Sequence, residues 1–453
     1  METLVESAAK LRSQGKLEEA LLLIENYIKN NEKEYRAKIL AAEYCENLSN
    51  FSNAKNYYLD AIEAKPSDAF NYLNFARFLL RRNEYDKSLK NFEKAYSLDK
   101  SSPIILTQLG RINLILGNTK KAEKFLEFSL KTKKNFPQTI YLLALTKLKL
   151  QKYKEGWKLY SRRQEFLNYK NISLGKVNPN IFEFKKKWIG QNLHNKKIVI
   201  IPEQGFGDFI MFSRYLKVLK DLFNPYIVLL CHPSFVELFE GYIYVDEVSD
   251  ISKNIFEEKN TGFNFWATIF DLPVYLSNHN LENFSYPYIA LKNSTKFNGF
   301  FNDSFKIGLC WKSSTTNLNS RNKSASSIKL FSRLFNKKNI SLYSLQIHHN
   351  YEDKVLFPSN LIDLSKEINN FNDTANIISK LDAVITVDTA VAHLSGALNK
   401  TTYLLLPMYD SDWRWAENTE ESAWYPSIKL LRLDQHNSWQ DRIDWAIANL
   451  GIS

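Results

Sequence analysis

Small residues recur in this chain at a fixed interval: Ala20, Ala54, Ser88, Ala122 and Gly156 follow one another every 34 residues. Leu17, Phe51, Tyr85, Thr119 and Tyr153 precede them by a helical turn, and only Thr119 among these is not large. Ile24, Tyr58, Phe92, Leu126 and Tyr160 follow them by another turn, all large and apolar or aromatic. Turn-forming or polar residues stand before each set: Gln14-Gly15, Ser49-Asn50, Asn83, Gly117-Asn118 and Gln151. Steps of three and four residues put the three positions of a set on one helix face. The small residue lets two helices approach, and the large ones fill the space on either side. The period therefore predicts paired antiparallel helices stacked into a solenoid, each unit burying its apolar face against its neighbours. A generic helical bundle is the alternative, but it gives no reason for three positions to hold phase through five units.

The pattern resembles the tetratricopeptide repeat, including Pro66 at the repeat-ending position. Five units fit between Met1 and about residue 170, and the fifth is degenerate, with Gly156-Trp157 in place of the usual small-apolar pair. Such a solenoid implies a protein partner on its concave face. The net charge is +11, but residues 1–100 sum to zero, 101–200 to +16 and 201–453 to −5. That basic middle could meet nucleic acid, an acidic protein surface or anionic lipid headgroups, or is a solvated lysine-rich helix surface. The lysines alternate with Leu and Tyr at helical spacing, which favours the solvated surface, and of these partners an acidic protein is expected rather than nucleic acid.

No stretch is apolar and long enough to span a bilayer, and METLVESAAK lacks the basic-then-apolar order of a signal segment. A cytoplasmic protein is expected. Cys45, Cys231 and Cys310 are too far apart for a zinc spacing and read as buried free thiols. Only His348 and His349 are close together among seven histidines, and adjacent strand side chains point to opposite faces, so no metal site is indicated.

Beyond residue 170 the texture changes. Asn178-Pro179-Asn180 and Gly190 mark a linker over 171–194. Lys197–Ile201 reads as a buried strand running into Glu203-Gln204-Gly205-Phe206-Gly207-Asp208 and then an amphipathic stretch to Leu222. Tyr226–Cys231 reads as a second strand and Pro233–Phe239 as a short helix, whereas 242–290 is less regular. A second alternating half starts at Phe305–Trp311, with strands at Ser341–Gln346, Ala383–Val387 and Tyr403–Leu406. Helices are expected at Ile328–Phe335, Thr374–Leu381, after Val387, and at Trp439–Leu450. Two parallel α/β halves follow, 195–300 and 301–453, with ligands expected beyond the strand ends.

Three sets of residues there can carry chemistry. Gly205 and Gly207 allow close backbone approach to a ligand, and Asp208 at the helix start is a proton acceptor for an acceptor hydroxyl or simply a cap. Asp388-Thr389-Ala390 and His393 occupy the same strand-to-helix place in the second half. Amides at a helix start attract a diphosphate, Thr389 adds a hydroxyl, and Asp388 caps the helix or holds a ligand hydroxyl. His393 reaches the ligand or packs quietly against the sheet. Lys323 and Arg321, in a polar loop, can stabilise a leaving diphosphate without a metal, or are solvated loop charges. Gln346 at a strand end bonds a base or ribose, or only closes the strand. Arg414, between Trp413 and Trp415, can hold phosphate, while Trp424 and Tyr425 read as packing. No P-loop, His-Glu-x-x-His or Gly-x-Ser-x-Gly motif is present.

Taken with Gly156-Trp157, Tyr160, Arg321–Ser324, Ser344–Gln346, Asp412–Trp415 and Trp424–Ser427, these motifs resemble those of bacterial tetratricopeptide-repeat proteins that carry a C-terminal heptosyltransferase-like glycosyltransferase domain. The layout also resembles O-linked N-acetylglucosamine transferases, without a close motif match. The resemblance implies a GT-B fold, two Rossmann-like lobes with a cleft between them, an acceptor-side first lobe and a donor-side second lobe. It implies Asp208 as the base of a metal-independent, inverting transfer from a nucleotide-diphosphate sugar to a protein or glycan hydroxyl, with no cofactor. It places the diphosphate at Asp388–His393. Lys312 and Lys323 depart from the family pattern. A non-catalytic scaffold that binds protein or nucleotide is the alternative, and a glycan-holding assembly factor a third.

Overall fold

The computed structural model describes residues 1–166, 186–253, 262–276, 286–291, 295–313, 327–335, 337–347 and 354–451. Contacts divide the chain into two compact units, Met1–Thr146 and Lys147–Ser453.

The first unit is the TPR-like array. Its helices are α1 (Glu2–Ser13), α2 (Leu17–Asn30), α3 (Tyr35–Asn47), α4 (Phe51–Ala64), α5 (Ala69–Arg81), α6 (Tyr85–Leu98), α7 (Pro103–Ile115), α8 (Thr119–Thr132) and most of α9 (Pro137–Lys149). The period has a backbone cause. Gly15, Ser49, Asn83, Gly117 and Gln151, one per unit, all hold positive φ between 59° and 79°. Each ends the first helix of its unit in the left-handed conformation that reverses the chain. Asn50, Asp68 and Ser102 then accept amides at helix starts, at 3.3, 3.0 and 3.5 Å. The small residues Ala20, Ala54, Ser88 and Ala122 are fully buried, and Ser88 satisfies its hydroxyl on the Ala76 carbonyl at 2.8 Å.

The fifth unit's second helix, α10 (Tyr153–Tyr160), falls in the second compact unit. The division by contacts thus falls inside the fifth repeat, between Thr146 and Lys147. The cause is packing: a Cβ on Gly156 would meet the Leu148 side chain at 2.7 Å, and Trp157 is buried against Phe212, Trp413 and Tyr160 at ring-centroid distances of 5.6–5.8 Å.

The second unit contains two parallel sheets. One has the order β1-β5-β2-β3-β4, built from β1 (Lys186–Lys187), β2 (Lys197–Ile201), β3 (Tyr226–Cys231), β4 (Glu247–Asp250) and β5 (Phe265–Thr268). The other has the order β11-β10-β9-β6-β7-β8, from β6 (Phe305–Cys310), β7 (Ile340–Ser344), β8 (Leu361–Asp363), β9 (Ala383–Val387), β10 (Thr402–Leu406) and β11 (Ile428–Arg432). Counted from β6, the second order is 3-2-1-4-5-6, the doubly wound arrangement; counted from β2, the first follows the same path through its fourth strand. The order reverses between β2 and β5 and between β6 and β9, which are the two switch points. β2 and β9 are nearly continuous apolar runs, apart from Lys197 at the start of one and Thr386 within the other, because both faces of a parallel strand are covered.

Three expectations change here. The stretch 242–290, read as irregular, holds β4, β5 and a helix at Asp271–Leu276. The linker's described end is part of the fold: Lys186 and Lys187 pair with Phe265 and Trp266, and Trp188 is buried with its indole N–H on the Gln191 carbonyl at 2.8 Å. β8 and β11 were not anticipated, β8 being only three residues long.

Candidate functional site

The first switch point is built around the turn after β2. Gln204, not a glycine, takes the left-handed conformation there, with φ 61°. Gly205 precedes the helix Phe206–Phe223, and the Asp208 carboxylate accepts the Gly205 amide at 2.8 Å. Its other oxygen accepts from the Arg414 guanidinium.

Behind this turn lies a buried charge network. Arg163, at the end of the α10 segment, donates two parallel bonds to Glu203 at 2.7 and 2.6 Å. It also donates to Thr268 at 2.9 Å and Asp271 at 3.0 Å, and Lys187 reaches Asp271 at 3.1 Å. Arg163, Glu203 and Asp271 are each no more than 2 % exposed. Burial raises the Asp271 carboxyl, but Arg163 and Lys187 outweigh it and hold it below the usual range. Burial opposes the charge on Arg163, and Glu203 and Asp271 more than offset that. Gln204 donates to the Tyr160 hydroxyl at 2.6 Å. Two residues of the α10 segment thus pin the turn on which Asp208 stands.

The second switch point is held mainly by uncharged groups at its base. The Gln346 carbonyl oxygen accepts the amides of Lys312 at 2.9 Å and Trp311 at 3.3 Å, fixing the chain as it leaves β6. The Cys310 thiol lies 3.5 Å from that oxygen, and burial pushes it up to about 11. The N-cap of the helix Ala390–Ala397 is Thr389, which corrects the expectation that Asp388 caps it. Asp388 lies one residue too early, before the chain turns into the helix. The Thr389 hydroxyl bonds Thr386 at 3.2 Å, within the sheet end.

His393 is 5 % exposed. Its Nδ1 bonds the Tyr425 hydroxyl at 2.9 Å, and its ring stacks on Trp415 with centroids 5.3 Å apart. Burial lowers it to about 3, so it stays neutral. A Cβ on Gly207 would collide with this ring. Gly207 is therefore glycine to admit His393, a different reason from the ligand approach expected of it.

Arg414 joins the two switch points. It is 6 % exposed and donates to Asp412 at 2.7 Å as well as to Asp208. Burial works against its charge; Asp208 and Asp412 outweigh that, so its pKa is raised. Its Nε is buried with no hydrogen-bond partner. Nearby, Arg214 is enclosed by aromatic rings, donating to Tyr286 and the Trp424 carbonyl at 2.8 and 2.9 Å, with the Tyr288 and Tyr425 rings 4.6 and 4.7 Å away. Trp424 and Tyr425 are buried packing residues.

Of the residues singled out in the sequence, Gly205, Gly207, Asp208, His393 and Arg414 are thus brought together, with Thr389, Ala390 and Gln346 at the adjoining strand ends. Arg321 and Lys323 lie outside the described residues, as do His348 and His349. The sequence reading missed Arg163, Asp271 and Arg214, and it named Glu203 in the strand-end motif without giving it a role. Glu203 and Asp271 stand beside buried strands, where a charge needs a partner, and that was the available signal. Among the described residues no group of three or more His, Cys, Asp or Glu is placed to hold a metal ion, and no helix is long and apolar enough to cross a membrane.

The family described as "Cilia and flagella-associated protein 70 middle TPR-like domain" matches residues 37–166. Protein FlbA of Caulobacter vibrioides is 24 % identical over 388 residues, which are 79 % of this chain and 61 % of FlbA. The chain thus spans less than two thirds of that curated relative. Solved structures resemble it over about a third of its length. The crystal structure of MamA covers 35 % of this chain and 92 % of its own, with TM-score 0.31 and 14 % identity. PilW, titled a type IV pilus biogenesis factor, covers 36 % and 76 %, with TM-score 0.33 and 24 % identity. The N-terminal region is a TPR-type protein-interaction domain.

Proposed function

We propose that the second unit is a GT-B glycosyltransferase domain that moves a sugar from a nucleotide-diphosphate donor to a hydroxyl, and that the repeats recruit the acceptor or a partner. The observation that carries this reading is the meeting of two doubly wound switch points at Asp208, Gly207, His393 and Arg414. Ligands of such sheets sit beyond the strand ends at the switch point, so two of them together offer one side to a donor and the other to an acceptor.

In this mechanism the acceptor hydroxyl oxygen attacks the anomeric carbon from the face opposite the leaving group. The new C–O bond forms as the bond from that carbon to the diphosphate oxygen breaks, with inversion. The hydroxyl proton passes to the Asp208 carboxylate. The nucleoside diphosphate leaves with the electron pair, and its charge is received by the amides at the Ala390 helix start and by Arg414. Arg321 and Lys323 remain candidates for the same task. Gln346 acts here by shaping the loop after β6, since its carbonyl oxygen already serves two amides.

A second reading has its own support. Both carboxylates against Arg414 are paired, which suits a non-catalytic scaffold as well as a resting enzyme. Thermal unfolding with a panel of nucleotide sugars and nucleoside diphosphates tests the nucleotide binding that the transferase reading requires. A bound nucleotide at a hundredfold its Kd stabilises by about 2.7 kcal/mol, a clear rise in Tm. Sugar transfer to a protein or glycan acceptor, read by mass, then completes the case. No shift with any nucleotide overturns the transferase reading and leaves the scaffold.

A further inference from the structure

We infer that Asp208 and a ligand diphosphate compete for Arg414, so that donor binding itself frees the base. The inference rests on the transferase reading above and adds its order of events.

The geometry supplies the reason. One guanidinium, 6 % exposed, lies between two carboxylates, which take both of its terminal nitrogens. A diphosphate brought to Arg414 must therefore displace one of these carboxylates from the guanidinium. The two carboxylates are not equivalent. Asp412 sits two residues before Arg414 and also accepts its backbone amide at 3.1 Å, so it stays with Arg414 whatever the side chain does. Asp208 comes from the other sheet, 206 residues away in sequence. Its second oxygen accepts the Gly205 amide at 2.8 Å, an anchor that keeps the carboxylate in place as the arginine turns away. Asp208 is therefore the exchangeable partner.

Arg414 also has an unused donor. Its Nε is buried and has no hydrogen-bond partner, whereas Nη1 and Nη2 serve Asp412 and Asp208. An arginine gives a phosphate two parallel bonds, and exchange of Asp208 for a phosphate oxygen lets Nε and Nη2 act together. The carboxylate left behind loses its guanidinium and gains proton affinity, which suits a general base. The acceptor hydroxyl would then be deprotonated only when a donor is seated.

Calorimetric titration of the full chain with a nucleoside diphosphate found in the thermal screen, and with inorganic pyrophosphate, tests the competition. D208N is near-isosteric and its side-chain oxygen can still accept the Gly205 amide. It is expected to bind nucleotide roughly tenfold more tightly than wild type, and D412N less so. R414Q is expected to lose binding. Each variant's Tm is measured alongside, and R414K, which keeps the charge but not the fork, should bind between wild type and R414Q. Wild-type affinity in a folded D208N, with binding still lost in R414Q, overturns the competition and leaves the transferase reading standing. Absence of nucleotide binding in wild type and D208N alike overturns both.

Discussion

The two parallel sheets wind in the same order, yet their switch points are filled with opposite chemistry. Behind the turn after β2 lies a closed set of buried charges: Arg163, Glu203, Asp271 and Lys187. At the ends of β6 and β9 most of the packed groups are neutral, namely the Gln346 amide, the Cys310 thiol, the Thr386 and Thr389 hydroxyls and the uncharged His393 ring, with Asp388 and Lys312 the charged residues beside them. Shared topology therefore does not mean a shared task. Charges already neutralised inside the fold make a rigid mount, and here the mount carries Asp208. At the second, the backbone amides of a helix start are the feature that favours an anion. The α10 segment explains how one chain makes both. By supplying Tyr160 and Arg163 it completes the first switch point from outside the sheet, which the second does without.

The sharpest way to break this comparison is to remove the arginine from the mount. Arg163→Met leaves Glu203 and Asp271 buried without their main cation. A loss of about 3–5 kcal/mol is expected, the usual result of stripping one partner from a buried ion pair. The pH dependence identifies the cause. Asp271 is held below its unfolded value, so its contribution is complete above the unfolded carboxylate pKa near 3.9 and is lost as pH falls below it. Chemical denaturation at several pH values should show this acid-side loss in wild type and a smaller one in Arg163→Met. Equal acid sensitivity in both would mean that Arg163 does not hold Asp271 charged.

The same contrast explains what the sequence made legible. The repeats could be read because their period is enforced by local chemistry: a positive-φ residue in each unit and a buried small residue five positions later. β2 and β9 were visible because strands covered on both faces need nearly continuous apolar runs. β4, with the sequence Glu247-Val248-Ser249-Asp250, carries no such run, and nothing local announces it. The site was legible as residue types at strand ends, and not as partnerships. Arg163 looked like one more charge in a basic stretch, because Glu203 is 40 residues away. Arg414 was read as a phosphate ligand, and only its placement opposite Asp208 discloses the pairing. The N-cap moved from Asp388 to Thr389 because it is set by where the backbone turns, to which a preference for Asp is only a guide.

A smaller effect sharpens the neutral side. His393 is held near 3 by burial, while an unfolded histidine titrates near 6.5. The unfolded chain thus gains a proton at a pH where the folded one does not. Stability from this residue is complete above about 6.5 and falls by about 1.4 kcal/mol per pH unit below it, until the folded value is reached. Between pH 7.5 and 5 that is a loss of about 2 kcal/mol. His393→Asn keeps a polar atom for Tyr425 and removes the titration. The difference in unfolding free energy between the two pH values should shrink by that amount in the variant. An unchanged difference would place the ring in a wetter setting than its contacts with Trp415 and Tyr425 imply.

The smallest expected effect bears on how closely the two switch points touch. Gly207 is the second residue of the helix Phe206–Phe223, where alanine gains at most about 0.5–1 kcal/mol over glycine, the mid-helix figure. The His393 ring occupies the place of the missing methyl: an added Cβ would lie 3.1 Å from Nε2 and closer still to Cδ2. Moving a buried ring held by Trp415 and Tyr425 costs about 1–3 kcal/mol. The crowding outweighs the helix gain, so Gly207→Ala should destabilise by about 1–2 kcal/mol. The sign is what matters, because helix propensity alone predicts the reverse. The double variant Gly207→Ala with His393→Ala removes the obstacle, and in it the alanine at 207 should be neutral or stabilising relative to His393→Ala alone. Urea unfolding of the four proteins in this cycle gives the coupling directly. If Gly207→Ala stabilises the otherwise wild-type chain, His393 does not lie against the start of that helix in solution, and the two switch points stand further apart than the structure puts them.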